Sequence, residues 1–331
     1  MELPRSLQIL REASAASGTA FEVVDTFTGF VARISRGKQS FLVGAAGIGV
    51  FPLNRAAPFA IARDKAFTHY VLLGAGFDVP AGGHFFVRPP EGYPLPPGRS
   101  AEDGIRFAGR LSDEFQKPLV VKPNSGKGAK HVVFAHSREA LARAFTSIAT
   151  IDNIALVQSL VDEPEFRLFL IDGEIAFAYR KLRPFIEGDG KKSIQALWQD
   201  KRHDEVPPPY FHYVCQRKNL RPDSILSPGE RLEIDFIGNL AAGGQFAGFV
   251  QPTPQLGAWA LRLAQTVSLR VTGIDVFSHS ELRDPGDIIV TDVNGAPNLS
   301  TLYDLGHRDL VLAIWRRILD KAFSGSWPEG F

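Results

Sequence analysis

A single cysteine, Cys215, in 331 residues excludes an intramolecular disulfide and a multi-thiolate metal centre, and it suits a reducing compartment. A lone cysteine reads more simply as a small buried apolar side chain than as a nucleophile. Long hydrophobic runs are also missing, since none approaches the ~18 apolar residues of a membrane span. Near the N-terminus an amphipathic pattern is broken by Glu2, Arg5, Arg11 and Glu12, unlike the apolar centre of a secretion signal. The expectation is a soluble, cytoplasmic protein with no membrane partner. A formal net charge of +1 leaves no polyelectrolyte surface, so nucleic acid is not an expected partner either. No GxxxxGK[ST] precedes a helix, and the Gly-Ala-Ala-Gly-Ile-Gly run at 44–49 has the wrong spacing for a dinucleotide fingerprint. That run is expected to be a turn or flexible connection. His69, His84, His131, His136 and His212 are scattered and form no Ser–His or Cys–His nucleophile; structural or surface roles suit them better.

What is present centres on two short runs, 271–277 (VTGIDVF) and 288–294 (IIVTDVN), each β-branched, apolar and bounded by glycine, proline or charge. The polar stretch between them holds the turn signal Pro285-Gly286. Paired as an antiparallel hairpin, the runs bring Asp275 near Asp292 and Asn294, and alternation puts Asp292 and Asn294 on one face. Two carboxylates and an amide oxygen form an all-oxygen set of the kind Mg²⁺ prefers. The same residues also read as strand-end turn residues and a solvated charge.

Earlier in the chain, 6–16 reads as a helix, and 21–24, 30–34 and 40–43 as short strands. Asp64 suits the N-cap of a helix to about residue 73, and 83–87 reads as a strand. The proline- and glycine-dense stretch 88–100 reads as a linker. A strand ending in Lys122, the small-residue loop 124–129 and a return strand at 131–134 form a hairpin whose tip is either a mobile turn or a phosphate cradle flanked by Lys122 and Lys127. Ser137 caps a helix over 138–148. Strands at 165–171 and 174–181 flank the hairpin turn Asp172-Gly173. The basic side chains clustered here, Arg167, Arg180, Lys181 and Arg183, make either a solvated face or an anion-facing wall. A helix opened by GDGKK (188–192) and running to residue 200, a charged loop at 201–209, a glycine-rich loop at 238–244 and a strand at 246–250 follow. Helices from Pro254 to about 269 and over 309–323 complete the chain.

In order, a lysine-ended strand, a glycine-rich hairpin, an acidic-arginine hairpin, an Asn-Leu-Ala-Ala-Gly-Gly loop and then Asp…Asp-x-Asn resemble the ATP-grasp superfamily of carboxylate–amine ligases over nearly the whole chain. The resemblance is closest to the ATP-grasp part of cyanophycin synthetase and of bifunctional glutamate–cysteine ligase/glutathione synthetases. The matching stretches are IARDKAFT (61–68), VVKPNSGKG (120–128), EFRLFLIDG (165–173), GDGKKSI (188–194), GNLAAGG (238–244), GIDV (273–276) and VNGAP (293–297). The fold implied is an α/β (α+β) ATP-grasp fold: a small α/β N-terminal domain (1–87), a small subdomain with a lid loop (88–158) and a large subdomain with the metal and acyl-phosphate site (159–331).

The resemblance also implies roles. Lys65 and Lys122 hold the nucleotide phosphates, and the loop of Ser125, Gly126, Lys127, Gly128 and Ala129 closes over them. Gln158 stands where relatives usually carry a glutamate that accepts from the adenine amino group; Ser159 and Leu160 read the adenine edge, and Glu165 binds the ribose hydroxyls. Arg167, Arg180 and Asn239 face the transferring phosphate. Asp275, Asp292 and Asn294 hold Mg²⁺, with Mn²⁺ an admissible substitute. ATP is the cosubstrate and small-molecule carboxylate and amine substrates are the partners, an amino acid or short peptide among them; a homodimer or homotetramer is the implied assembly. Arg183, Lys218 and Arg221 suit a second substrate carboxylate. Two positions depart from the family pattern: Asp292 replaces a glutamate and Asn298 a glycine. Against cyanophycin synthetase the chain lacks an extra N-terminal domain and a second ligase domain, from which one ligation per active site is expected.

Overall fold

The structure is a computed structural model that describes residues 2–45, 49–113, 115–126, 131–201, 211–234, 236, 238, 240, 244–325, 328 and 330. Two compact units emerge, each assembled from separate stretches of chain. The first comprises Met1–Val79, Phe166–Tyr179 and Phe249–Phe331, and the second Pro80–Glu165 and Arg180–Gly248.

A five-stranded sheet, whose residues 166–179, 249–250, 271–277 and 289–294 belong to the first unit, runs in the order Gln245–Val250, Glu174–Leu182, Glu165–Ile171, Val271–Phe277, Ile289–Asn294. Phe166, Leu168, Leu170, Ile274, Val276, Val290 and Val293 from its strands pack against Leu256, Ala260, Leu263 and Ala264 of the helix Pro254–Val267. That helix starts where the sequence put it because Pro254 occupies the first turn and the Thr253 side chain accepts from the Leu256 N–H. The turn between the second and third strands is Asp172-Gly173, at φ 53° and 78°. Its Asp172 is buried and accepts from Arg270 Nε at 2.6 Å, while Lys321 Nζ lies 2.6 Å away. A three-stranded antiparallel sheet (Ala20–Val23, Val31–Arg36, Gln39–Gly44) completes this unit with the helices Arg5–Ala16 and Arg308–Ser324.

A four-stranded antiparallel sheet dominates the second unit, in the order Gly82–Phe86, Ile154–Ser159, Leu119–Pro123, Val133–Ala135. One face carries Phe85, Leu119, Val121, Ala155 and Val157 against the helices Ala101–Leu111 and Arg138–Ala149. Both helices start at serine caps: Ser100 forms a reciprocal capping box with Asp103, and Ser137 accepts from the Ala140 N–H. A smaller core is built from Ile186, Ile194, Trp198, Phe211, Cys215 and Leu232.

Most expected elements are present within a few residues of their anticipated ends. The helices Ala56–Arg63, Ala101–Leu111, Phe211–Gln216 and Ser300–Asp304 were not anticipated. The first and last of these lack a side-chain cap, so the sequence carries no start signal for them. The helix expected to open at 188 begins at Ile194, because Asp189 is spent on a turn, accepting from the Lys191 and Lys192 N–H groups at 2.8 and 2.7 Å. The strand expected from 131 begins at Val133, since His131 has φ 61°. Part of the glycine-rich run 44–49 lies outside the described residues. Among the described residues, no helix is long and apolar enough to cross a membrane.

Candidate functional site

In the first unit, the end of the hairpin Val271–Phe277/Ile289–Asn294 places Asp275 directly opposite Asp292, and Gly273 opposite Asn294. Ile274, Val276, Val290 and Val293 occupy the core face, which leaves Asp275, Asp292 and Asn294 together on the other. Between Asp275 and Val276 the register slips: Val276 pairs with Val290, so Thr291 is an extra residue. This bulge lets Val290 and Val293 both point inward while Asp292 between them points away. The Thr291 hydroxyl donates to the Asp275 carbonyl at 3.1 Å, fixing the irregularity.

Arg167, from the neighbouring strand, grips Asp275 with two prongs, Nε to Oδ1 at 2.5 Å and Nη2 to Oδ2 at 2.7 Å. Lys65, at the start of the helix Lys65–Gly74, places Nζ 3.7 Å from Asp292 Oδ1. Burial works against the charge on Arg167, but Asp275 and, more weakly, Asp292 outweigh it and raise its pKa, so the guanidinium stays charged. Asn54 ties the site's edge together: its amide bonds the Val271 N–H, the Val271 carbonyl and the Gly295 carbonyl at 2.9, 2.7 and 2.8 Å. Asn294 Oδ1 accepts from the Ala296 N–H at 2.9 Å. Gly273 is required here, since a Cβ would lie 2.7 Å from Pro297 Cβ and 3.3 Å from Arg167 Nη1.

Asp275, Asp292 and Asn294 offer oxygen donors only, which fits Mg²⁺. The two carboxylates already face two cations, Arg167 and Lys65, so a divalent ion would fit best together with a polyanionic ligand that restores the balance. Among the described residues no group of three His, Cys, Asp or Glu side chains is arranged to hold a metal, so the third donor here would have to be the amide.

In the second unit the sheet face turned away from the helices is set by register. Gln158 is cross-strand neighbour to Gly82 on one side and Val120 on the other, and Leu156 to His84 and Lys122. Lys122 and Gln158 therefore share a face with Val120. Gln158 is buried at 5% exposure, and the Ser159 N–H donates to the Ala81 carbonyl at 2.8 Å. Leu160 packs with Val120 onto a cluster of Phe134, Val214 and Phe236. Ser125 is occupied by Asp152, whose Oδ2 accepts from its N–H at 2.8 Å and its hydroxyl at 2.6 Å. Gly126 is half-buried at the edge of the described loop; Lys127, Gly128, Ala129 and Asn239 lie outside the described residues.

Glu165 joins two partners in this unit. Lys181 Nζ lies 2.6 Å from Oε1 and the Gly238 N–H donates to Oε2 at 3.0 Å. A Cβ on Gly238 would sit 2.5 Å from Oε2, so the approach requires glycine. Glu165 and Arg180 border a cleft of about 250 Å³ whose wall includes Arg183, Arg217 and Glu233. Arg183 bonds Asp162 and lies 3.4 Å from Glu233 Oε2, while Arg217 lies 2.7 Å from Asp162 and 3.3 Å from Glu233. Both guanidiniums lie over the Phe236 ring, at 5.8 and 5.0 Å from its centroid. Burial would raise the pKa of Asp162, but Arg183 and Arg217 hold it below the usual carboxylate range.

Sequence reasoning missed Asp162, Glu233 and Arg217, although the run of cations at 180, 181 and 183 implies counter-charges somewhere. It also missed Asn54, for which no local signal exists. Arg183, read as a spare cation for a substrate carboxylate, is engaged by Asp162 and Glu233, and Arg221 makes an exposed ion pair with Asp223.

No family model matches the chain. A glutathione biosynthesis bifunctional protein of Desulfotalea psychrophila is 22% identical over 311 residues, which are 87% of this chain and 36% of the relative. The chain thus spans little more than a third of that protein's length. A probable alpha-L-glutamate ligase of Nitrosococcus oceani is 24% identical over 278 residues, covering 84% of this chain and 70% of the relative. Among solved structures, a bifunctional glutathione synthetase from Pasteurella multocida superposes with a TM-score of 0.51 at 17% identity, covering 91% of this chain and 41% of that one. The likeness to the solved structure is one of fold: the chain has the ATP-grasp fold that its motif order implies.

Proposed function

We propose that this ATP-grasp chain is an ADP-forming carboxylate–amine ligase that joins an amino acid or short peptide to a second small molecule through an acyl-phosphate. The observation that carries the reading is the opposed pair Asp275/Asp292, with Arg167 bonded to Asp275 and Lys65 Nζ 3.7 Å from Asp292: charges that suit a metal-bound polyphosphate, at the place the motif order assigns. Relatives named for glutathione biosynthesis and for glutamate ligation support the choice of substrate class.

In the proposed chemistry, a substrate carboxylate oxygen bonds to the γ-phosphorus as the bond to the β–γ bridging oxygen breaks, giving ADP and an acyl-phosphate. The amine nitrogen then bonds to the acyl carbon, the carbon–oxygen bond to phosphate breaks, and the nitrogen loses a proton. Loose phosphoryl-transfer transition states need alignment and charge stabilisation more than covalent help. On the first unit, Arg167 and Lys65 supply fixed positive charge, and Asp275 aims Arg167. Asp275, Asp292 and Asn294 would hold Mg²⁺, which supplies Lewis-acid charge neutralisation when bound. On the second unit, Lys122, Ser125, Gly126, Lys127, Gly128 and Ala129 take phosphate, Gln158, Ser159 and Leu160 the base, and Glu165 the ribose. Arg180 and Asn239 are assigned to the acyl-phosphate. Division into 1–87, 88–158 and 159–331, a cytoplasmic setting and a homodimeric or homotetrameric assembly belong to the same reading.

Incubation with Mg-ATP and pools of amino acids, small acids and dipeptides tests it, with ADP, AMP and free phosphate quantified. ADP plus phosphate that appears only when both a carboxylate and an amine are present is the expected result. A phosphorylated acceptor without free phosphate would identify a kinase instead, and AMP formation would overturn the assignment.

A further inference from the structure

We infer that Asn54 is a positioning residue for the metal: its side-chain amide ends the strand ladder at Asn294 and so holds the Asp292 and Asn294 oxygens in place opposite Asp275. This rests on the metal-site reading above.

The strand Val271–Phe277 begins before its ladder does, since the pairing with Ile289–Asn294 ends at Gly273 and Asn294. Continued in the same register, Val271 would face Ala296. The Ala296 N–H is turned back instead and donates to Asn294 Oδ1 at 2.9 Å. Asn54 fills the missing rung. Its Oδ1 accepts from the Val271 N–H at 2.9 Å, and its Nδ2 donates to the carbonyls of Val271 and Gly295 at 2.7 and 2.8 Å. Two carbonyls beside one end of the amide and an N–H beside the other fix which atom is the nitrogen. A primary amide carries the donor and acceptor of a peptide group, so this one side chain stands in for a strand.

The consequence reaches the donors. With Val271 occupied, Ala296 has no rung to join and keeps its bond to Asn294. That bond orients the Asn294 amide and uses one lone pair of Oδ1, leaving the second open to an ion. Asp292 precedes Asn294 on the same face, so a strand end that zipped further or frayed would move both donors relative to Asp275. The helix Ala56–Arg63, which follows Asn54, presses on the same place: a Cβ on Gly295 would lie 2.9 Å from Phe59 Cδ2. Groups that orient the ligands of a metal account for about 10–100-fold in its affinity.

Binding of Mn²⁺ to the whole chain at saturating ADP, followed by water-proton relaxation, reads the site without turnover. Asn54→Leu keeps the size, loses every bond of the amide and is expected to weaken Mn²⁺ binding by about 10–100-fold. Asn54→Asp separates position from charge. It sets a carboxylate against two carbonyls, yet it adds a negative charge that by itself would tighten the hold on a cation. Positioning predicts weaker binding in both variants. Thermal melting sets a working temperature at which each variant is folded, where lost stability alone leaves the affinity unchanged. Wild-type affinity in both variants, or tighter binding by the Asn54→Asp chain, would overturn the inference and leave the metal site standing. No Mn²⁺ binding by the wild-type chain would overturn the metal reading and the inference with it. If neither Asn54 variant folds, Gly295→Ala decides, because it pushes the strand end off Phe59 with the amide intact. Weakened Mn²⁺ binding is expected there too, and an unchanged affinity would overturn the inference.

Discussion

At the scale of single residues, the most informative position is Asp292. Its Oδ1 lies 3.7 Å from Lys65 Nζ, a looser pairing than the two-pronged grip of Arg167 on Asp275. One more methylene lets a carboxylate reach further and engage an ion with both oxygens. Asp292→Glu is therefore expected to lower the Mg²⁺ concentration needed for half-maximal ADP formation severalfold, read from a magnesium titration at saturating ATP; an unchanged or higher requirement would count against the metal assignment. Cys215 behaves in the opposite way to a functional residue. It is fully buried, and burial pushes its thiol up to about 11. With almost no thiolate at neutral pH it should resist a disulfide reagent in the folded protein and yield one thiol per chain only after denaturation. Fast labelling of the native protein would show that the surrounding core opens readily.

Elements carry their own lessons. The alternation of Asp292 and Asn294 was legible because period two is the strongest signal a strand gives. The bulge at Thr291 was not, since a bulge depends on the match between two strands and neither strand's sequence shows it alone. Regular alternation from 288 would place Val290 on the same face as Asp292; the extra residue resolves that conflict in favour of the core. The helices 138–149 and 254–267 could be placed from Ser137 and from Pro254, whereas Ala56–Arg63 has no capping side chain and escaped notice. Within Ala101–Leu111, Gly104 reverses a usual rule. Alanine in a helix interior is ordinarily better than glycine by about 0.5–1 kcal/mol. Here its Cβ would lie 2.8 Å from both Phe145 and Phe85, which are buried, and overpacking costs about 1–3 kcal/mol. Crowding wins, so Gly104→Ala should lower stability in urea denaturation; a stabilised variant would show that the two rings move aside.

For the whole molecule, the sequence disclosed the elements more fully than their assembly. Core strands announce themselves by composition, and so the element order was readable. The assembly of each unit from distant stretches was not, because long-range pairing leaves no local trace: Arg270 meets Asp172 from 98 positions away. That ion pair also shapes global stability against acid. Burial would raise the Asp172 pKa, but Arg270 and Lys321 hold it below the usual carboxylate value. A depressed native pKa stabilises the fold fully above the unfolded value of about 3.9 and loses that contribution as pH falls through the native one. Asp172→Asn strands two cations and should cost about 3–5 kcal/mol at pH 7. Urea titrations at pH 7 and pH 3 should show the gap to wild type narrowing in acid, and a gap independent of pH would exclude an electrostatic origin.

The same turn bears on how the chain tolerates being cut and rejoined. Hairpin tips are the usual places to open a circular permutant or graft a foreign loop. At 172–173 the tip is buried, salt-bridged on two sides and capped by Leu261, whose Cδ1 would lie 2.4 Å from a Cβ on Gly173. New termini or an insert there would dismantle a piece of the interior, whereas every residue of 88–98 is exposed and offers the site where such surgery would leave the core untouched.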